Sequence, residues 1–156
     1  MRIPGKLKAE DFERLIELVR GKTVLALGCY CGRGLLTVAE HAEKVWVLED
    51  FKRLASVDGV VRELMVNIDR YAPEERVMNL LYGNSDRWTV PVGSEQLPEG
   101  GVDVVYRDAD RSEAEWERDE QLAYVLLRNR GGVYAWHDED HALCWLQMKP
   151  MLVTVN

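Results

Sequence analysis

The sequence has no long apolar run, no excess of basic residues and few cysteines. No apolar stretch in the 156 residues approaches the roughly 20 residues that a membrane-spanning helix requires. The formal net charge is −7, and a negatively charged chain is a poor partner for anionic membrane surfaces and for the phosphates of nucleic acids. The composition therefore predicts a protein that binds no membrane and no nucleic acid.

Three cysteines are too few for the disulfide framework of a small secreted domain. The first residues, from Met1 to Lys6, lack the apolar core of a signal peptide. We therefore expect a protein of the reducing cytoplasm. The chain length and the 47% content of hydrophobic residues suit one globular domain, which we expect to span residues 1–156.

Short apolar runs alternate with segments of helical periodicity along the chain. The predicted strands span residues 23–27, 45–48, 77–82, 102–106, 133–136 and 151–155, and the predicted helices span 12–19, 35–42, 60–68, 112–129 and 142–148. Apolar strands separated by helices are typical of a parallel sheet that is covered on both faces. The pattern therefore predicts an α/β fold with a mostly parallel sheet.

Ligands of open α/β sheets bind beyond the C-terminal ends of the strands, and the segment after the first strand is rich in glycine. It reads Gly-Cys-Tyr-Cys-Gly-Arg-Gly over residues 28–34 and leads into a helix. Glycine permits a tight turn and the close approach of a ligand, and a helix begins with free N–H groups. The glycines stand at positions one, five and seven of this run, unlike those of the dinucleotide fingerprint. The spacing argues against a nicotinamide cofactor, and an ordinary strand-to-helix turn is the alternative.

Polar residues also follow the next two strands. Glu49 and Asp50 follow the second strand, and a carboxylate there can accept hydrogen bonds from both hydroxyls of a ribose. The third strand is followed by Asn84, Ser85 and Asp86, whose short polar side chains suit the edge of an adenine. A plain turn is an equally good interpretation of this last segment.

Acids and a histidine follow the fourth and fifth strands. Asp108 and Asp110 come after the fourth strand, and His137 and Asp138 come after the fifth. Carboxylates with an imidazole suit a divalent metal such as magnesium or manganese. The alternative is that these acids cap the following elements and face water.

Three of these segments together resemble a known superfamily. Residues 24–34 resemble the first motif of class I S-adenosylmethionine-dependent methyltransferases, and the Gly-x-Tyr-x-Gly form is similar to that of the catechol O-methyltransferase type. Residues 102–112 and 130–138 look like a bacterial methyltransferase family with an Asp-x-Asp-His-Ser signature and a terminal His-Asp. The resemblance implies a seven-stranded Rossmann-like fold, of which this chain holds six strands with a shortened C-terminal hairpin.

The resemblance also implies a role for each matching residue. The cofactor-binding residues would be Gly28, Tyr30, Gly32 and Gly34 at the methionine part of S-adenosylmethionine, Glu49 at the ribose, Ser85 and Asp86 near the adenine, and Asp108 beside them. The residues that match the magnesium positions of the catechol enzymes are Asp108, His137 and Asp138. Asp108 and Asp138 are the expected catalytic residues.

Two residues depart from the pattern of the family. Ala26 stands where an acid usually precedes Leu-Gly, and Arg111 stands where the relatives have His or Lys. A guanidinium group stays protonated and cannot act as a general base. The resemblance implies methyl transfer to a small-molecule acceptor, at oxygen and with metal assistance. The alternative is a binding module that has the methyltransferase fold but no longer catalyses methyl transfer.

The shortened hairpin leaves a strand edge with unpaired N–H and C=O groups. Apolar residues are frequent near this edge, namely Trp145, Leu146, Met148, Met151 and Leu152. Because a two-fold dimer is the commonest way to bury such a patch, we expect a homodimer with residues 142–156 in the interface. The alternative is a tail that covers its own edge.

Overall fold

The computed structural model of the protein describes residues 7–49, 55–71, 78–82, 100–108, 113–127 and 131–149. The helices are α1 (Asp11–Val19), α2 (Arg33–His41), α3 (Val60–Tyr71) and α4 (Glu113–Leu127). The strands are β1 (Thr23–Leu27), β2 (Lys44–Glu49), β3 (Met78–Tyr82), β4 (Val104–Arg107), β5 (Val133–His137) and β6 (Leu143–Gln147). Within these ranges, no helix combines the length and the apolar character that crossing a bilayer demands.

The strands form one sheet in the order β3-β2-β1-β4-β5-β6. The first five strands are parallel to one another, and β6 runs antiparallel to β5. Leu27 pairs with both Leu48 and Arg107, and Arg107 pairs with Trp136. Because these registers align the C-terminal ends of β1, β2, β4 and β5, the residues that follow them lie along one edge of the sheet.

Helices cover both faces of this sheet, as the sequence predicts. Alternate residues of β1 point to opposite faces, so that Val24 and Ala26 lie in the core with α1, α2 and α3. Leu25 and Leu27 lie in a second core with Ala123 and Leu127 of α4. The Rossmann-like α/β fold with a mostly parallel sheet is thereby confirmed.

One buried residue of α3 is polar. Val60, Leu64 and Asn67 are buried, whereas Met65 is 49% exposed. Residues at i, i+4 and i+7 share one face of a helix, and Met65 lies about 100° away from Leu64 around the helix axis. A polar residue therefore occupies a core position of this helix.

The predicted helix over residues 142–148 is wrong, because residues 143–147 form the strand β6. A tight turn precedes this strand and reverses the chain. His141 has a left-handed backbone with φ of 62°, and the Asp138 Oδ1 atom accepts hydrogen bonds from the N–H groups of Asp140 and Ala142 at 2.9 Å. β6 then pairs with β5 from Leu143 to Gln147. The strand predicted at residues 151–155 lies outside the described residues.

Candidate active site

The loop after β1 has an unusual backbone conformation. Gly28, Tyr30 and Gly32 have positive φ angles of 79°, 43° and 93°. The Gly28 N–H donates to the Leu48 carbonyl at 2.9 Å, and the Gly32 N–H donates to the Cys29 carbonyl at 2.7 Å. Gly32 is the N-cap residue of α2, and no side chain caps the helix. The loop therefore places the N-terminal turn of α2 at the C-terminal edge of the sheet.

Glu49 joins the end of β2 to this loop. Its Oε2 atom accepts the Cys29 N–H at 2.7 Å and the Cys29 thiol at 3.2 Å. Burial raises the pKa of the Cys29 thiol, and the Glu49 carboxylate raises it further. Glu49 is itself buried. The residue predicted to hold a ribose thus lies beside the glycine loop and also fixes its backbone.

Asp108 lies between the loop and β5. Its N–H donates to the Leu27 carbonyl at 2.9 Å, and its Oδ1 atom is 3.5 Å from Nε2 of His137. A Cβ atom at Gly34 would overlap with Oδ2 of Asp108. The absence of a side chain at Gly34 therefore allows the carboxylate to pack against the first turn of α2.

Tyr106 is a polar neighbour of Asp108 that the sequence analysis missed. Its side chain is fully buried, and its hydroxyl would be 3.1 Å from a Cβ atom at Gly34. Burial raises the pKa of Tyr106, and the Asp108 carboxylate raises it further. Ala26 pairs with Tyr106 in the sheet and is fully buried beside it. A buried tyrosine hydroxyl thus lies beside Asp108 and the first turn of α2.

The three expected metal ligands are not brought together. His137 is buried near Asp108, and its ring lies 5.8 Å from that of His141. Asp138, however, uses Oδ1 to accept the two backbone N–H groups of the turn before β6. In the part of the chain that the structure describes, no group of three or more His, Cys, Asp or Glu side chains could hold a metal ion. Asp108, His137 and Asp138 therefore do not form such a group in this structure, and a site for magnesium or manganese stays an expectation of the resemblance.

Asn67 of α3 is a second residue that the sequence analysis missed. It is buried, and its Nδ2 atom donates to the Cys31 carbonyl at 2.9 Å. The signal that could have revealed it is a polar side chain at an apolar position of an amphipathic helix. Ser85, Asp86 and Arg111 lie outside the described residues.

Comparison with known proteins identifies the fold. No protein-family model and no curated sequence matches the chain. Among solved structures, precorrin 8W decarboxylase of Methanobacterium thermoautotrophicum has a TM-score of 0.60 at 15% identity, covering 86% of this chain and 64% of that one. Phosphoethanolamine N-methyltransferase 1 of Haemonchus contortus has a TM-score of 0.55 at 17% identity over 85% of this chain and 26% of that one. An rRNA methylase of Streptococcus thermophilus has a TM-score of 0.56 at 10% identity over 84% and 71%.

The chain has the methyltransferase fold. This chain spans only 50% or 51% of the length of several other proteins of similar structure. One of them is an S-adenosylmethionine-dependent methyltransferase of Mesorhizobium loti. In this methyltransferase fold, the loop after β1, Glu49, Asp108 and His137 lie at the edge where open α/β sheets bind their ligands.

Proposed function

We propose that the protein binds S-adenosylmethionine at the loop of residues 28–34 and transfers its methyl group to an oxygen atom of a small molecule. The observation that carries this proposal is the convergence of the glycine loop, Glu49 and the Asp108–His137 pair at one edge of a methyltransferase fold. The net charge of −7 favours a small acceptor over RNA.

The residues present suit this cofactor. The first turn of α2 has no side-chain cap, so its backbone N–H groups can donate to the methionine part of the cofactor beside the Asp108 carboxylate. Glu49 would accept hydrogen bonds from the ribose, and Ser85 and Asp86 would lie near the adenine. When bound, the cofactor supplies a methyl group on a positively charged sulfur.

Asp108 and His137 would accept the proton that the hydroxyl group of the acceptor loses. Methylation of a hydroxyl releases its proton, and a positioned carboxylate–imidazole pair can hold such a proton as a general base. The two side chains are 3.5 Å apart and largely buried. Much of the rate would come from holding the acceptor in line with the methyl group. No step is assigned to a metal, because Asp138 is bound to the backbone of its own turn.

Calorimetry with S-adenosylhomocysteine tests the cofactor part of the proposal. We expect a dissociation constant in the micromolar range, about −8 kcal/mol, and no competition by NADH. Tight binding of NADH without any response to S-adenosylhomocysteine would overturn the proposal. For the chemical part, Asp108→Asn should lower the transfer rate at saturating S-adenosylmethionine by about a hundredfold or more.

A binding module without transfer activity is the second candidate. It is favoured by Ala26, which is fully buried in the apolar core and offers no carboxylate at the site. Turnover against a panel of catechols, sugars and hydroxy acids separates the two candidates. Binding of S-adenosylhomocysteine without methylation of any member of the panel would support the module.

A further inference from the structure

The turn between β1 and α2 needs contacts with other segments of the chain to keep its conformation. Tyr30 has a left-handed backbone with φ of 43°, and Gly32 follows with φ of 93°. Residues other than glycine rarely adopt a left-handed backbone conformation, because their Cβ atom then approaches the backbone too closely. Such a turn persists only when surrounding contacts determine it.

Two contacts from distant segments hold this turn. Glu49 at the end of β2 accepts the Cys29 N–H, and Asn67 of α3 donates to the Cys31 carbonyl at 2.9 Å. The peptide between Cys31 and Gly32 is held at both ends, since the Gly32 N–H donates to the Cys29 carbonyl. Leu64 packs against the same turn, at 3.1 Å from the position of a Cβ atom on Gly32.

We propose that Asn67 is a positioning residue for the cofactor, a role that rests on the proposed function. By fixing the carbonyl of Cys31, Asn67 sets the orientation of the peptide at which α2 begins. That peptide determines where the first-turn N–H groups of α2 point. Asn67 lies on the face of α3 that packs against the loop, and it would affect the cofactor only through the loop.

Two substitutions test this role. Asn67→Leu removes the donor and keeps the number of non-hydrogen atoms in the side chain, and Asn67→Asp puts a negative charge opposite the Cys31 carbonyl in nearly the same shape. We expect the dissociation constant of S-adenosylhomocysteine to rise about tenfold with leucine, the effect of one lost hydrogen bond, and further with aspartate. Calorimetry measures both values, and thermal unfolding shows that the variants are folded.

Ile68→Ala is the matched control. Ile68 is the next residue of α3 and packs partly buried against the same core. Its truncation should lower the melting temperature and leave the affinity for S-adenosylhomocysteine within about twofold of the wild type. If affinity instead follows the melting temperature across all three variants, Asn67 acts only on stability and the proposal is overturned.

Labelling of Cys31 gives a readout that needs no cofactor. Its side chain is buried in the folded protein, and a loosened turn would expose it. Alkylation of Cys31 should be faster in Asn67→Leu than in the wild type and in Ile68→Ala. Equal labelling and equal affinity in Asn67→Leu overturn the inference alone. If the wild type does not bind S-adenosylhomocysteine, the proposed function is wrong. The rate of Cys31 alkylation then still shows whether Asn67 holds the turn.

Discussion

Glu49 and Cys29 show how single side chains shape the site at the residue scale. The Glu49 carboxylate accepts both the N–H and the thiol of Cys29 through one oxygen atom. The same side chain is the proposed partner of the ribose. Replacement of Glu49 should therefore weaken cofactor binding both directly and through the loop.

Glu49→Ala should raise the dissociation constant of S-adenosylhomocysteine by about ten- to a hundredfold, because hydrogen bonds to a charged group contribute about 1.5–3 kcal/mol. Calorimetry measures the change, and circular dichroism should show a folded protein. Asp50→Ala, at the neighbouring acid, is the control and should leave the affinity unchanged. A loss of affinity with Asp50→Ala alone would place the ribose on the other acid.

The three thiols should differ in reactivity. Burial raises the pKa of Cys29 and of Cys31, and neighbouring carboxylates raise both further. Burial and Asp138 also raise the pKa of Cys144, which is nevertheless the most accessible of the three. A raised pKa keeps a thiol protonated and slow to react, so alkylation at pH 8 should modify Cys144 first, and faster as the pH rises. Mass spectrometry counts the modified sites, with urea-unfolded protein as the control, and rapid labelling of folded Cys29 would contradict the prediction.

Candidate-site residues at the ends of strands could be predicted from the sequence, whereas those inside a helix or a strand could not. Glu49 and His137 are the last residues of apolar strands and Asp108 directly follows one, and parallel strands bring such positions to one edge. Asn67 and Tyr106 lie inside a helix and a strand, where the pattern assigns them to the core. Their partners, Cys31 and Gly34, are distant in sequence and meet them only after the sheet has formed.

At the scale of elements, the turn between β5 and β6 explains the role of Asp138. Two N–H groups converge on its carboxylate, and the Asp138 N–H donates to the Ala142 carbonyl at 2.9 Å. Side chains of this kind stabilise turns by pairing backbone donors. Asp138 thus holds β6 against β5.

Asp138→Ala should lower the free energy of unfolding by about 1–3 kcal/mol, since it leaves backbone donors of the turn unpaired. It should not change the affinity for S-adenosylhomocysteine. Urea denaturation measures the loss, and Asp140→Ala, which removes a side chain of the same turn without removing these acceptors, is the control. A rise in melting temperature with millimolar magnesium that Asp138→Ala abolishes would instead indicate a metal ligand.

The same turn explains why β6 was not predicted as a strand. The apolar residues of 142–148 fit a short helix and a strand equally well when only their periodicity is considered. Pairing with β5, from Val133 to His137, decides in favour of the strand. That pairing depends on the reversal at Asp138, which a local pattern of hydrophobicity does not encode. The parallel strands and the longer helices carried clearer periodic signals and were predicted.

At the scale of the whole molecule, β6 ends the sheet among the described residues. It covers the edge of β5 and presents Trp145 and Leu146, which are 44% and 55% exposed. Arg14 of α1 lies 4.8 Å from the ring centre of Trp145 and shields one face of it. Leu146 is on the opposite face of the strand, so it is the better position at which to test assembly.

The homodimer through residues 142–156 stays a prediction. If this segment forms the interface, light scattering at micromolar concentration should give twice the chain mass of 17.9 kDa, and Leu146→Asp should shift it to the single-chain value because a charge would be buried. Val125→Asp, at a 53% exposed position of α4, is the control. A wild-type mass of 17.9 kDa that does not change on dilution would show that β6 closes the sheet by itself.

The pairing of β1 with β4 has a consequence for the time course of folding. The glycine loop and Glu49 belong to one stretch of chain, and Asp108 and His137 belong to another. The two stretches meet along β1 and β4, where Thr23 and Asp103 share a hydrogen bond across 80 positions of sequence. Closing such a long loop costs entropy and is slow compared with local helix formation. A refolding chain should therefore regain its helices well before it can hold any ligand between the two stretches.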